Sequence, residues 1–97
     1  MLKMRSEENG GVRTYYPEGE IDYVKSKAFA EEISTENCTE LVFDLADLNY
    51  ITSAGIRVLM AVNLEMREKG GRVSVRNVNE VIDEIFEMTG FYVVIAE

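Results

Sequence analysis

The stretch Leu48-Asn49-Tyr50-Ile51-Thr52-Ser53-Ala54-Gly55-Ile56-Arg57-Val58-Leu59 decides the fold, because two different hydrophobic patterns meet in it. On its N-terminal side, Leu41-Val42-Phe43-Asp44-Leu45 is a short apolar run with the polar residues 34–39 before it and Ala46 to Asn49 after it, the pattern of a buried central strand. On its C-terminal side, projection of Ala54 to Lys69 at about 100° per residue sets Gly55, Val58, Leu59, Val62 and Met66 on one face, which predicts a helix with that face on the core. A strand that feeds a helix through a short loop belongs to α/β architecture. In such folds the loops at the carboxyl ends of parallel strands are where sites are usually built.

Outward from this junction the alternation continues. Gly70-Gly71 ends the helix, Val73-Ser74-Val75 reads as a strand, and Val78, Val81, Ile82, Ile85 and Phe86 repeat at helical spacing, with Asn77 or Asn79 as cap and Gly90 as stop. The β-branched run from Tyr92 to Ile95 reads as a last strand. Toward the N-terminus, Leu2 and Met4 alternate with Lys3 and Arg5, Gly10-Gly11 supplies a turn, and Val12 to Tyr16 forms the second arm of a hairpin. Pro17, lacking an N–H, is expected at a sheet edge or a bulge. Residues 25–33 favour a short helix. The predicted order is β-β-α-β-α-β-α-β: a single α/β domain over residues 1–97, with a mixed, mostly parallel sheet, an N-terminal hairpin and about three helices.

Composition removes whole classes of function. The 97 residues include no histidine, one cysteine and one proline, with 18 Asp plus Glu against 10 Lys plus Arg and a net charge of -8. Without histidine there is no Ser-His-Asp or Cys-His pair and no His-ligated zinc. The charge opposes nucleic-acid binding, which draws its affinity from Lys and Arg displacing counterions. Cys38 cannot close an intramolecular disulfide and reads as a small hydrophobe in a reducing compartment. No run approaches a membrane span, the start MLKMRSEENG is no signal peptide, and a cytoplasmic location is expected. Walker loop, G-x-G-x-x-G and metal-ligand spacing are all missing, so no enzyme, metal or cofactor is expected.

Ser53, at the mouth of the helix, has two readings that are compatible. In one, Ser53 or Thr52 is the N-cap, worth about 1 kcal/mol. In the other, an exposed hydroxyl accepts a phosphate, which the free N–H groups and dipole of the helix start would favour. The segment is not a nucleophile elbow, since Ile51 stands where glycine is needed and no histidine exists. Ile56, Met60 and Leu64 form an i, i+4, i+8 stripe away from the projected core face, flanked by Arg57 and Arg67, and Ser53 extrapolates to the same side. The stripe is either a partner surface or the seat of a neighbouring helix.

The quoted stretch resembles the signature of STAS domains, the fold of bacterial anti-sigma factor antagonists. Gly19-Glu20-Ile21-Asp22 is similar to the Gly-Glu-Leu-Asp stretch near the start of those proteins, Gly70-Gly71-Arg72-Val73 to their helix-to-strand turn, and Met88-Thr89-Gly90-Phe91 to the end of their third helix. The resemblance runs from about Val12 to the C-terminus. It implies a partner switch: the unphosphorylated antagonist binds an anti-sigma factor that is also a serine kinase, phosphorylation of a serine blocks the binding, and a serine phosphatase restores it. Carried over by motif, the phosphoacceptor is Ser53, with Thr52 as the second choice, and Asp22 lies beside it on the partner face. That face is expected to comprise Asp22, Thr52, Ser53, Ile56, Arg57, Met60 and Leu64. Two departures stand out: Thr52 replaces the Asp found before the serine in many members, and the family's usual fourth, C-terminal helix is read as absent.

The expected function is therefore a regulatory binding protein, monomeric or weakly dimeric, switched off by phosphorylation at Ser53. An alternative within the same fold is a small STAS subunit docking on a transporter ATPase without phosphorylation. A receiver-type phosphoacceptor at Asp44 lacks the paired acidic cluster near the first strand and the late lysine that such domains use.

Overall fold

In the computed structural model, which describes residues 2–96, the elements run β1 (Lys3–Asn9), β2 (Val12–Ile21), α1 (Tyr23–Glu32), β3 (Glu40–Asp44), β4 (Leu48–Ile51), α2 (Ser53–Glu68), β5 (Arg72–Arg76), α3 (Glu80–Thr89) and α4 (Phe91–Ala96). The five strands form a mixed sheet in the order β1-β2-β3-β5, with β4 joining β2 off that path. The hairpin partner β1 is antiparallel to β2, and the other pairings are parallel. This is the α/β fold with an N-terminal hairpin that the sequence predicts.

β2 organises the molecule by changing partners along its length. Its first half, residues 12–15, pairs with β3, and its end, Gly19 to Ile21, pairs with β4 across a register shift at Gly19/Glu20. Pro17 sits in the gap between these two stretches, while on its other side it stands opposite Met4 of β1. Of the two positions expected for it, an edge or a bulge, the edge is not found: proline is tolerated inside this central strand, close to the register shift at Gly19/Glu20, in a stretch with no parallel partner.

Alternation along the strands turns one set of side chains into the main core, while Thr14, Val42 and Asp44 are buried at the centre of the other face. Tyr15, Leu41, Phe43 and Val73 point into a core shared with Phe29 of α1, Leu59 and Met66 of α2, and Ile82 and Phe86 of α3. The Tyr15 and Phe43 rings stack at 5.9 Å, and Phe29 meets Phe43 edge-on at 6.0 Å. On the opposite face Asp44 is 8% exposed and accepts hydrogen bonds from Arg76 Nε at 2.9 Å, Asn77 Nδ2 at 2.9 Å and the Ala46 N–H at 3.1 Å. Burial alone would raise this carboxyl, but those bonds and the Arg76 charge hold it below the ordinary aspartate value. Arg76 also donates to the Tyr16 hydroxyl, and Arg5 lies over the Tyr16 ring at 3.8 Å. Asp44 is thereby a fixed joint of the sheet rather than a free acceptor.

Two further readings of the sequence change. Leu48–Ile51, read as loop, is a short strand, and Tyr92 to Ile95, read as a strand with no fourth helix after it, lies within a fourth helix, Phe91–Ala96. The cause is local. Gly90 takes the left-handed conformation (φ 75°) that ends α3 and turns the chain back on itself, so Phe91 and Tyr92 meet Phe86 at 4.5 and 5.5 Å. Burial against α3 outweighs the strand preference of Tyr92-Val93-Val94-Ile95. α4 is tied to α2 by Arg67 donating to the Ile95 carbonyl at 2.8 Å and, more weakly, by Asn63 donating to the Val94 carbonyl at 3.5 Å. The Asn63 amide oxygen is buried there without a partner among the described residues.

Candidate functional site

The parallel register of β2 and β4 sets Ile21 opposite Ile51, and both strands hand over to helices within two residues. The starts of α1 and α2 are consequently neighbours at one end of the sheet. Asp22, exposed, is the N-cap of α1, its carboxylate accepting from the Lys25 N–H at 2.8 Å. Thr52 is the N-cap residue of α2 by backbone geometry but makes no capping bond. Its N–H and its hydroxyl both donate to the Ile21 carbonyl, at 3.0 and 3.1 Å.

Ser53 is then the first residue of α2, exposed to solvent, and its hydroxyl has no partner among the described residues. Of the two sequence readings, the capping one fails for both hydroxyls: Thr52 stitches α2 to β2, and Ser53 caps nothing. What remains is an accessible hydroxyl beside N-terminal N–H groups that no side chain satisfies, a place where negative charge is stabilised.

Close packing fixes this turn. A β-carbon on Gly55 would lie 2.6 and 2.9 Å from two carbons of Ile51 and 3.0 Å from one of Ile21, so α2 seats directly on the paired ends of β4 and β2. That contact also rotates α2 relative to the sequence projection. Ile56 is 3% exposed and belongs to the core, Met60 is partly buried against it, and only Leu64, 61% exposed, stays in solvent. The stripe Ile56-Met60-Leu64 therefore does not form one outer surface. The alternative that a neighbouring helix covers this flank describes it better, since α4 lies along α2 there.

Beside the two helix starts other apolar side chains are exposed. Tyr23 and Val24, immediately after Asp22, are each 79% exposed, and Tyr50 is 45% exposed three residues before Ser53. No periodicity announces them; the signal is their position beside the two helix starts, which only the β2–β4 register reveals. From Arg57, exposed one turn into α2, a groove of about 350 Å³ runs between α1 and α2, walled by Ala30, Ile33, Val58, Ala61 and Val62. At its far end Lys69 donates to the Thr35 hydroxyl at 2.8 Å, and Thr35 donates to Glu65. Among the described residues no group of His, Cys, Asp and Glu is arranged to hold a metal ion, and no helix is long and apolar enough to cross a membrane.

Three comparisons with known proteins bear on this geometry. The sequence model of the STAS domain matches residues 3–96. The anti-sigma F factor antagonist of Paenibacillus polymyxa is 26% identical over 95 residues, which covers 94% of this chain and 81% of that protein. Among solved structures, an anti-sigma factor antagonist from Mycobacterium paratuberculosis superposes with a TM-score of 0.78 at 23% identity, covering 94% of this chain and 80% of that one. The Bacillus cell fate determinant SpoIIAA in its phosphorylated form superposes with a TM-score of 0.75 at 18% identity, covering 93% and 86%.

Proposed function

Because this chain belongs to the STAS domain family, we propose that it is an anti-sigma factor antagonist, a regulatory binding protein without catalytic activity of its own. Unmodified, it engages an anti-sigma factor that is also a serine kinase, through the surface around the starts of α1 and α2. That kinase phosphorylates Ser53 and so ends the engagement, and a serine phosphatase reverses the change. The observation that carries this reading is the exposed, unpartnered Ser53 hydroxyl at an N-terminus of α2 that no side chain caps. The curated relative named an anti-sigma F factor antagonist and the neighbour solved in a phosphorylated form support it.

Chemistry favours Ser53 over Thr52 as acceptor. The Thr52 hydroxyl is half-buried and committed to the Ile21 carbonyl, so phosphorylating it would break a bond that holds α2 to β2. A phosphate on Ser53 meets free N–H groups instead and leaves the fold intact. It adds roughly -1.5 to -2 charges beside Tyr23, Val24 and Tyr50, so a docked partner would have to desolvate it. The partner face in this reading comprises Asp22, Ser53 and Arg57 with those apolar side chains, and Ile56 acts from beneath.

The test is phosphate transfer followed by binding. Incubated with ATP and a cognate anti-sigma kinase, the wild-type chain takes an acid-stable label that Ser53→Ala does not. Ser53→Asp weakens kinase binding by ~1–3 kcal/mol relative to Ser53→Ala, measured by calorimetry. A chain that takes no label, or equal affinity of the Asp and Ala variants, defeats the reading. Failure to label together with binding to a transporter ATPase would establish the alternative of a transport subunit.

A further inference from the structure

One side chain is shared by the first turn of α2 and the groove between α1 and α2. Arg57 follows Ser53 by four residues, so helix geometry stacks the two on one face about 6 Å apart along the axis. Helical side chains lean toward the N-terminus, so the guanidinium of Arg57 has the reach to swing back to the turn that holds Ser53. Arg57 is exposed and lines the groove beside Val58 and Ala61. Six other cations, Lys3, Arg5, Arg13, Lys69, Arg72 and Arg76, pair with carboxylates; among the described residues Arg57 does not. The other charges at the two helix starts are Asp22, whose carboxylate is engaged in capping α1, and Lys25 in the first turn of α1.

We propose that Arg57 is the internal receptor of a phosphate on Ser53. The inference rests on Ser53 as the acceptor and extends that reading to how the signal spreads. Phosphoserine at 53 and arginine at 57 form an i, i+4 pair with the anion on the N-terminal side, the orientation a helix favours. Once paired, the guanidinium is held at the start of α2 and leaves the mouth of the groove. Phosphorylation thus alters the docking surface twice, adding a dianion at 53 and withdrawing a cation at 57. In the unmodified protein Arg57 is free to pair with a carboxylate of the partner.

The pair is measurable without any partner. Protein carrying phosphoserine at 53, introduced by ligation or by an expanded genetic code, is titrated by phosphorus NMR beside the same phosphoprotein bearing Arg57→Gln or Lys25→Gln. All three keep the N–H groups of the helix start, so differences report the side chains alone. The expected result is a second phosphate pKa higher by roughly 0.3 units or more in Arg57→Gln, the scale of an i, i+4 ion pair, with the difference shrinking at high salt. Lys25→Gln is expected to leave the titration unchanged. Identical titrations of the parent and Arg57→Gln, or an effect confined to Lys25→Gln, overturn the proposal. Because the phosphate is installed chemically, a chain that no kinase labels would defeat the reading of Ser53 as the natural acceptor and still leave this titration to decide the pair.

Discussion

Gly55 shows how tightly a single position governs the site. Its missing side chain lets α2 settle onto Ile51 and Ile21, and the side chains it touches are themselves buried in the core. Gly55→Ala should overpack that contact and destabilise the fold by about 1–3 kcal/mol, read as a lower urea midpoint with an unchanged slope. An unaltered midpoint would mean that Ile51 can swing away at no cost. Ser53 was legible in the sequence because a hydroxyl between a buried strand and a helix stands out by position. The burial of Ile56 was not, because a helical projection ranks residues around an axis without fixing the angle at which the axis is turned to the sheet. Here that angle is set by Gly55, whose contacts come from residues four and thirty-four positions earlier.

Among the elements, α4 and β4 are the two the sequence does not declare. β4 has only four residues, of which Asn49 and Tyr50 are exposed and Leu48 and Ile51 buried, so neither alternation nor a continuous apolar run marks it. Its existence depends on β2 reaching past β3 to offer a second partner. α4 is a case of tertiary burial overriding local propensity, and its attachment is open to test. The Tyr92 hydroxyl donates to Asp83 of α3, and burial together with that bond and the carboxylate's charge pushes the phenol up to about 12. A phenol raised by folding contributes stability that is fully present below its ordinary value of 10 and is lost as pH rises through about 12. Two of the five tyrosines are raised by folding, Tyr16 chiefly by its bond with Glu7 and Tyr92 to about 12, so absorbance at 295 nm should show Tyr92 as the last to ionise, accompanied by loosening of α4 in hydrogen exchange, and Tyr92→Phe should remove that phase near pH 12. A titration whose late phase survives Tyr92→Phe would break this link.

At the scale of the whole molecule the acidic excess and the fold meet at Asp44. The carboxylate joins β3 to the end of β5 and to Asn77, and its pKa is depressed in the folded chain, so its contribution is present above the ordinary value of 3.8 and is lost as pH falls through the lower folded value. Asp44→Asn should cost about 1–3 kcal/mol at neutral pH and flatten the loss of stability below pH 4, followed by urea unfolding across that range. A parallel fall of wild type and variant would assign acid sensitivity to other carboxylates. The class of fold was legible at this scale because hydrophobic periodicity changes cleanly from strand to helix around residue 53. The net charge of -8 excluded partners but named none, since charge counted over a chain carries no positions. The division of β2 between β3 and β4 has a further consequence, in time. The hairpin β1–β2 can close as soon as residue 21 has been made, and β3 can join once residue 44 has. The neighbouring helix starts exist only after Ile51 has docked against Ile21, so in a nascent chain the surroundings of Ser53 are unassembled until residue 51 has been made and the last parallel pairs of β2 have closed.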